Sequence, residues 1–414
     1  MTISRTDLPS GLTVVTEAIE GSRSASFGCW VRVGARDETD ELAGASHFLE
    51  HLLFKGTQTR SGREISEAIE AVGGELNAHT AHEHTAFYAR VPAGAAAIGL
   101  GLLCDVVTSP AFDADDVESE RHVILEELHQ AEDEGDDRVL SLAHEALWGA
   151  HPLGREVLGT LDSIDAMERE GIADFFEAHY HPANLVLVAA GAIDHDEVVA
   201  AGEQFPMRPA GPRPPRTAPE GSVPVRRRAL VRRPLEQAHL CAVWPGLASD
   251  DPDRYALGVC NQILGGGLSS RLFQEIREER GLAYTVFSSV ASFSDAGSLS
   301  AYVGTGAERV DEVRDLLLEI TERLVADGVT AREWEVARGY LEGSFLLGLE
   351  DSGSVMARLG NHVCSRGEVV PVDEQLAKLR AVTPDQVGAV AQRILGVAPA
   401  MAGVGPLTEA DLGG

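Results

Sequence analysis

The sequence predicts an α+β protein of two homologous domains, each a mostly antiparallel sheet with helices packed on one face. Short runs rich in valine and other strand formers alternate with helical runs along the 414 residues. A stretch rich in proline and arginine divides the chain near its middle, and the order of elements before it recurs after it. A chain of this length also exceeds one ordinary hydrophobic core, which favours two domains.

The first half begins with strands predicted at residues 13–16 and 26–33, and a further strand is predicted at 185–189. Helices are predicted at residues 43–55 and 113–130, on either side of strands that extend to residue 91. The second half repeats this order, with a helix at 255–264, strands to residue 303 and then further helices. The two halves therefore look like a diverged duplication of about 200 residues each.

The predicted helix at 43–55 carries a His-x-x-Glu-His motif formed by His47, Glu50 and His51. At about 100° per residue, these three side chains fall opposite an apolar face made by Phe48 and three leucines. Two imidazoles one helical turn apart can share one zinc ion at about 2.0–2.1 Å per nitrogen. This order of residues is the inverzincin signature of certain zinc peptidases. Gly56 follows the last basic turn and predicts a left-handed stop.

A third zinc ligand is expected from the acidic helix predicted at 113–130, because one position of a catalytic zinc site stays open for water. Glu118, Glu120, Glu126 and Glu127 are the candidates. Glu120 and Glu127 are two turns apart on a common face, so either could point towards the histidines. Spacing alone does not choose between these two.

The motifs of the first half closely resemble those of the pitrilysin-like zinc peptidases, which include mitochondrial processing peptidase and insulin-degrading enzyme. Residues 45–57 resemble the active-site helix, and residues 120–127 resemble the second family signature. The resemblance implies that Glu127 is the third zinc ligand and that Glu120 is an auxiliary catalytic group. It also implies that Asn77 and Ala78 lie on the strand whose exposed edge pairs with the substrate backbone.

The second half contains Arg277 and Tyr284, which resemble an arginine–tyrosine pair of the same family, seven residues apart. In the family these side chains contact the substrate near the scissile bond, from the opposite side of a closed chamber. The glycine-rich residues 264–272 resemble the segment just before that pair. The resemblance covers essentially the whole chain and implies a homodimer with a composite active site, although a heterodimer is possible.

Together these features predict a zinc metalloendopeptidase that cleaves extended peptides or precursor segments. The resemblance is nearest to the short-chain bacterial members similar to mitochondrial processing peptidase. One Zn²⁺ per chain would be bound by His47, His51 and Glu127, with Glu50 as general base. The alternatives are a non-catalytic scaffold or core subunit of the same fold and a zinc-dependent peptide-binding protein.

Three regions are predicted from this organisation. Residues 1–205 form a zinc-binding catalytic domain, 206–225 a linker, and 226–414 a pseudo-repeat domain without zinc ligands. Dense proline favours an extended, semi-rigid connector. The alternative is a basic patch for an anionic partner, to which the run 226–228 of three arginines would belong.

Composition excludes several other classes. The net charge of −31 argues against a nucleic-acid partner, and it leaves open whether the acids serve solubility or attract basic peptides. The sequence contains no run of about 20 apolar residues, so no membrane span is predicted. The first residues resemble neither a signal nor a transit peptide. Five scattered cysteines without metal-type spacing predict reduced, buried thiols and a cytoplasmic location.

Overall fold

The computed structural model describes residues 2–206, 208, 211, 216–219 and 228–413. Most of the predicted linker at 206–225, and two of the three arginines at 226–228, lie outside the described residues, so the linker's conformation stays a prediction. Eleven strands occur in the described residues, at β1 Thr2–Asp7, β2 Thr13–Ala18, β3 Ser24–Val31, β4 Glu75–Thr80, β5 Thr85–Pro92, β6 Leu185–Gly191, β7 Arg228–Arg232, β8 Gln237–Pro245, β9 Ala283–Ser292, β10 Gly297–Gly306 and β11 Ala400–Gly405.

The helices account for most of the remaining ordered chain. Over the same described residues they are α1 Ala45–Leu52, α2 Gly62–Glu70, α3 Ala96–Thr108, α4 Ala114–Asp133, α5 Gly135–Trp148, α6 Leu161–Ala166, α7 Arg169–His179, α8 His195–Glu203, α9 Arg254–Leu264, α10 Val310–Asp327, α11 Ala331–Gly348, α12 Ser352–Arg366, α13 Val372–Ala381 and α14 Pro384–Leu395. A π-helical segment occupies Phe273–Glu279. Within the described part of the chain, no helix is long and apolar enough to cross a membrane.

The strands form two sheets with matching topology. The first has the order β1-β2-β6-β3-β5-β4, and the second has the order β7-β11-β8-β10-β9. In each sheet one pair is parallel, β2 with β6 and β7 with β11, and the other pairs are antiparallel. If β1 is set aside, the five remaining strands of the first sheet correspond in order and direction to the second sheet. This correspondence supports the predicted duplication.

The chain forms two compact units, and neither is continuous in sequence. Unit 1 comprises the described residues within 1–128, 156–216 and 346–369, and unit 2 comprises those within 129–155, 217–345 and 370–414. Helix α12, from late in the chain, therefore belongs to unit 1, and helix α5, from the first half, belongs to unit 2. The predicted division at 206–225 does not coincide with these compact units.

The mixed α+β class with two sheets is confirmed, but the expectation of helices on only one face is wrong. In unit 1, α3 packs on β3 and β5, and α12 packs on β2, β3 and β6. Alternate residues of β3 contact the two helices, with Cys29 in the core beside α3 and Trp30 against α12. Helix α5 similarly packs on β7, β8 and β11 of unit 2, while α14 packs on β8. Each sheet therefore has helices on both faces.

Candidate metal centre

Helix α1 begins at a position that only glycine can occupy without strain. Gly44 has φ of 91°, and a Cβ there would lie 2.6 Å from the carbonyl oxygen of Leu158. The buried carboxylate of Glu38 accepts hydrogen bonds from the backbone N–H groups of Gly44 and Ser46, each at 2.7 Å. A carboxylate at a helix N-terminus also interacts favourably with the helix dipole. These contacts fix the start of the helix that carries the His-x-x-Glu-His motif.

The two faces of α1 are arranged as the sequence predicts. Phe48, Leu49 and Leu52 are almost fully buried, whereas the two histidines and Glu50 on the opposite side are partly exposed. The predicted left-handed stop at Gly56 is wrong. The helix ends at Leu52, residues 53–55 form a turn, and Gly56 pairs with Ser61 in a short antiparallel bridge without a positive φ.

The three predicted zinc ligands lie together in unit 1. Glu127 Oε2, on α4, is 3.6 Å from His47 Nε2 and 3.4 Å from His51 Nε2. The ligand atoms of this group all lie within 4.8 Å of one another, and it is the one such group of three found among the described residues. Zinc bonds of about 2.0–2.1 Å in a tetrahedral site place neighbouring ligand atoms about 3.3–3.4 Å apart. Two imidazoles and a carboxylate at these separations fit a zinc ion.

Glu120 lies behind His51 and contacts its other ring nitrogen. His51 Nδ1–H donates to Glu120 Oε2 at 3.0 Å, which leaves Nε2 as the acceptor atom facing Glu127. Glu120 is only 2% exposed, and its second oxygen pairs with the ammonium of Lys55. A carboxylate in this position orients a metal-binding imidazole and raises its basicity. The geometry therefore separates Glu127, which faces both histidines, from Glu120.

The electrostatics of the centre favour the metal-binding form of His47. Burial, followed by the neighbouring His51, lowers the pKa of His47 to about 4. Its imidazole is therefore neutral at neutral pH, which is the state that binds a metal ion. The side chains of His47 and His51 are 12% and 17% exposed, whereas Glu127 is 40% exposed and lies on the open side of the group.

Glu50 is held by the neighbouring strand. Thr80, the last residue of β4, donates to Glu50 Oε2 at 2.6 Å. Asn77 and Ala78 lie on the same strand, which is at the edge of the first sheet and, among the described strands, pairs only with β5. The N–H of Ala78 bonds the side-chain oxygen of Asn77 at 2.8 Å. Asn77 and Ala78 are thus only three and two residues before Thr80, which contacts Glu50.

Arg277 and Tyr284 lie together in unit 2. The Arg277 guanidinium stands 5.1 Å from the centre of the Tyr284 ring and 4.7 Å from that of Phe273. Tyr284 is 77% exposed and sits near the start of β9, an edge strand of the second sheet. Both side chains of the pair are therefore accessible to solvent.

Sequence reasoning missed Glu38 and Thr80. Thr80 follows Asn77 and Ala78 closely in sequence, but nothing in its spacing indicated a bond to Glu50, 30 residues away. Glu38 lies six residues before Gly44, outside the three-residue spacing of a capping box. The acidic run at residues 37–41, shortly before a metal-binding helix, was the available signal for Glu38.

Comparisons with known proteins identify the family. A family model described as Insulinase (Peptidase family M16) matches residues 13–161, and one described as Peptidase M16 inactive domain matches residues 166–341. The chain is 44% identical over 415 residues to an uncharacterized zinc protease of Streptomyces coelicolor, covering 99% of this chain and 90% of that protein. The chain belongs to peptidase family M16.

Two further similarities are consistent with this. An uncharacterized zinc protease of Bacillus subtilis is 35% identical over 405 residues, with 98% of each chain covered. The crystal structure of a peptidase M16 inactive domain from Pseudomonas fluorescens superposes with a TM-score of 0.89 at 20% identity, covering 99% of each chain. That structural likeness confirms the fold. The His-His-Glu centre lies wholly within the range matched by the Insulinase model.

Proposed function

We propose that this M16 chain is a zinc-dependent endopeptidase that cleaves extended peptides or precursor segments inside a closed chamber. The observation that carries the proposal is the placement of His47, His51 and Glu127 at zinc-ligand separations, with Glu50 on the same helix face. We place it with the short-chain bacterial members similar to mitochondrial processing peptidase. The five cysteines are free thiols, which supports a reducing cytoplasmic location.

In the proposed mechanism, His47 and His51 each provide an imidazole nitrogen, and Glu127 provides a carboxylate oxygen. A zinc ion bound there supplies Lewis acidity towards water and the peptide carbonyl. Glu50 accepts a proton from the attacking water and returns it to the leaving amine nitrogen. Thr80 fixes the orientation of the Glu50 carboxylate through Oε2. Glu120 keeps His51 in the required tautomer and acts as the auxiliary carboxylate of the centre.

The substrate is proposed to add as a strand to the free edge of β4. Main-chain pairing at an exposed edge gives affinity with limited demand on side chains. Asn77 and Ala78 are the residues proposed to pair with it, opposite Tyr88 and Phe87 of β5 in the existing ladder. The net charge of −31 supports a preference for basic peptides. Arg277 and Tyr284 are proposed to stabilise the carbonyl oxygen as it gains negative charge.

The proposed function is tested by Glu50→Gln, which keeps the shape of the side chain and removes the base. Hydrolysis of a quenched basic peptide should fall by at least about 100-fold, while zinc content stays near one per chain. Glu70→Gln, at an exposed position on α2, is the matched control and should behave as the parent protein. Near-normal turnover by Glu50→Gln would remove the base assignment. Zinc and peptide binding by the parent protein without any cleavage would favour the scaffold or peptide-binding alternatives.

We further propose a homodimer whose partner supplies Arg277 and Tyr284 to the site. A chain with both residues replaced by alanine is mixed with a Glu50→Gln chain, and subunit exchange is verified with two affinity tags. Hybrid dimers then contain one composite site with all groups intact, so part of the activity should return. No recovery after verified exchange would count against a shared site. A parent protein that sediments only as a monomer would do the same.

A further inference from the structure

We propose that Arg216 is a positioning residue, which holds the turn between β4 and β5 and thereby the edge strand offered to the substrate. The proposal rests on the peptidase function argued above. Arg216 comes from the segment predicted as the linker, 133 residues after Glu83 of the turn that it contacts. Asp37 and Glu83, which its side chain contacts, both belong to unit 1.

The contacts of Arg216 join two segments of unit 1. Its Nε and Nη2 donate to the two carboxylate oxygens of Asp37, each at 2.7 Å, as a two-pronged fork. Nη2 also donates to the backbone carbonyl of Glu83 at 2.7 Å, and Nη1 lies 3.6 Å from the Glu83 carboxylate. One guanidinium therefore links the short segment at 35–37 with the turn at 81–84.

Three successive backbone carbonyl groups of the turn accept hydrogen bonds from residues outside the β4–β5 hairpin. The carbonyls of Ala81 and His82 accept from the backbone N–H groups of Ala35 and Arg36, at 3.2 and 2.8 Å. The third carbonyl, that of Glu83, accepts from Arg216. Arg216 is thus the side-chain member of a set of three bonds that fixes the position of the turn.

This turn is directly continuous with the groups that act on the substrate. Thr80, which bonds Glu50, is three residues before Glu83, and Ala78 is two residues before Thr80. Within the described residues, β4 is held by a sheet ladder on one side only. Its position therefore depends on the ladder to β5 and on how the turn at its end is fixed. Movement of the turn would shift the backbone groups offered for strand pairing.

The chemistry of the contact calls for arginine. The side chains of Arg216, Asp37, Glu83 and Arg36 are between 1% and 13% exposed, and Arg36 donates to Glu83 Oε1 at 2.5 Å. Two guanidiniums and two carboxylates balance in charge, so none of them is buried without an opposite charge nearby. Lysine would preserve this balance, but a single ammonium cannot supply the planar fork and the carbonyl bond together.

Arg208 provides a matched control in the same region of the chain. Its side chain is 18% exposed, and it also contacts a backbone carbonyl, that of Thr108 at 2.8 Å, and a carboxylate, that of Glu177 at 3.3 Å. These partners belong to α3 and α7, away from the β4–β5 turn. Arg208→Lys therefore makes the same chemical change without touching the hairpin.

The test compares Arg216→Lys, Asp37→Asn, their double variant and Arg208→Lys as zinc-loaded full-length proteins. With a quenched extended peptide, Arg216→Lys should raise KM about 10-fold while kcat changes less than about threefold, because strand pairing is lost in ground and transition state alike. Asp37→Asn should give a similar rise, and the double variant should add little to either change. Arg208→Lys should match the parent protein in both constants.

Hydrogen–deuterium exchange gives a readout that does not depend on catalysis. Arg216→Lys should speed exchange in peptides covering residues 75–92 and leave those covering α3 unchanged. Unchanged exchange at 75–92, or unchanged KM in an active protein, would overturn the proposal. So would faster exchange in α3 as well, since that would show general loosening of unit 1. If the parent protein cleaves no peptide, the peptidase proposal fails, while the exchange result still decides whether Arg216 positions the turn.

Discussion

Glu120 and Glu127 share one face of α4 but contact different atoms of the same histidine. Glu127 faces Nε2 of both histidines, whereas Glu120 accepts from His51 Nδ1 and pairs with Lys55. Their substitutions by glutamine should therefore differ. Glu127→Gln removes a charged ligand and should weaken zinc binding more than Glu120→Gln, which removes a supporting contact worth about 10–100-fold in affinity.

Zinc affinities measured by competition with a chromophoric chelator check this difference. Glu126→Gln, at an exposed neighbouring position on α4, is the control and should keep the parent affinity. At saturating zinc, Glu120→Gln should still bind about one ion per chain. If Glu120→Gln loses zinc more readily than Glu127→Gln, the two roles must be exchanged.

His84, in the β4–β5 turn, should make unit 1 sensitive to acid. Burial, as the larger cause, and the neighbouring His79, as the next, lower the pKa of His84 to about 4. Between about pH 6.5 and that value the unfolded chain binds a proton that the folded chain does not. Lowering the pH across this window should therefore lower the free energy of unfolding. His84 should contribute up to about 3 kcal/mol to this loss.

Urea unfolding of the metal-free protein at several pH values measures this dependence. His84→Gln cannot take up the proton in either state, so its free energy of unfolding should fall less between about pH 6.5 and pH 4. Chelated conditions are needed because zinc binding to His47 and His51 has a pH dependence of its own. Parallel curves for the parent and the variant would show that His84 does not carry the effect.

Local and distant residues differ in how far the sequence alone could place them. His47, Glu50 and His51 sit within two helical turns, so helical spacing put them on one face. The choice between Glu120 and Glu127 required the packing of α4 beside α1, which spacing does not contain. Thr80 and Arg216 act through contacts 30 and 133 residues distant in sequence. Such contacts follow from the tertiary arrangement and leave no local pattern.

Among the elements, β3 carries the signal that the expectation of helices on one face overlooked. The strand is buried along nearly its whole length, and both sets of alternate residues are apolar or small. A strand with one exposed face would alternate with polar residues, so this continuous burial was a signal for cover on both sides. The helix that provides the second cover, α12, lies more than 300 residues later in the chain, and no local pattern connects it to β3.

Gly360 of α12 allows the close approach of that helix to β3. A Cβ at this position would lie 2.4 Å from the indole of Trp30, which is fully buried. Gly360→Ala should gain up to about 1 kcal/mol in helix propensity but lose more through the clash, for a net destabilisation of roughly 1–3 kcal/mol. Urea unfolding measures the change.

Gly101→Ala on α3 is the control for this substitution. The position is exposed, and nothing lies within 4 Å of the added Cβ. This variant should be as stable as the parent or slightly more stable. Equal stabilities for Gly360→Ala and Gly101→Ala would mean that the indole moves aside at little cost, and that α12 does not pack as tightly as its geometry indicates.

For the whole molecule, the origin of two helices limits how the chain can be divided. Helix α12 of unit 1 comes from the second predicted domain, and helix α5 of unit 2 comes from the first. Residues 1–205 and 226–414, the predicted domains, would each lack a helix that covers one sheet face. In unit 1, α12 covers Trp30, and its Arg358 pairs at 2.5 Å with Glu17, whose side chain is 1% exposed. Burial of an indole of about 200 Å² is worth roughly 5 kcal/mol, a large part of the stability of a typical domain.

We therefore expect residues 1–205 expressed alone to bind a hydrophobic dye and to unfold without cooperativity. Appending residues 350–367, which contain α12, through a flexible linker should restore a cooperative urea transition. The matched control appends residues 383–396 instead, which carry the amphipathic α14 of unit 2 and should restore nothing. Cooperative unfolding by 1–205 alone would show that the sheet of unit 1 is stable with one face uncovered, and the predicted continuous domain would then be an independent folding unit.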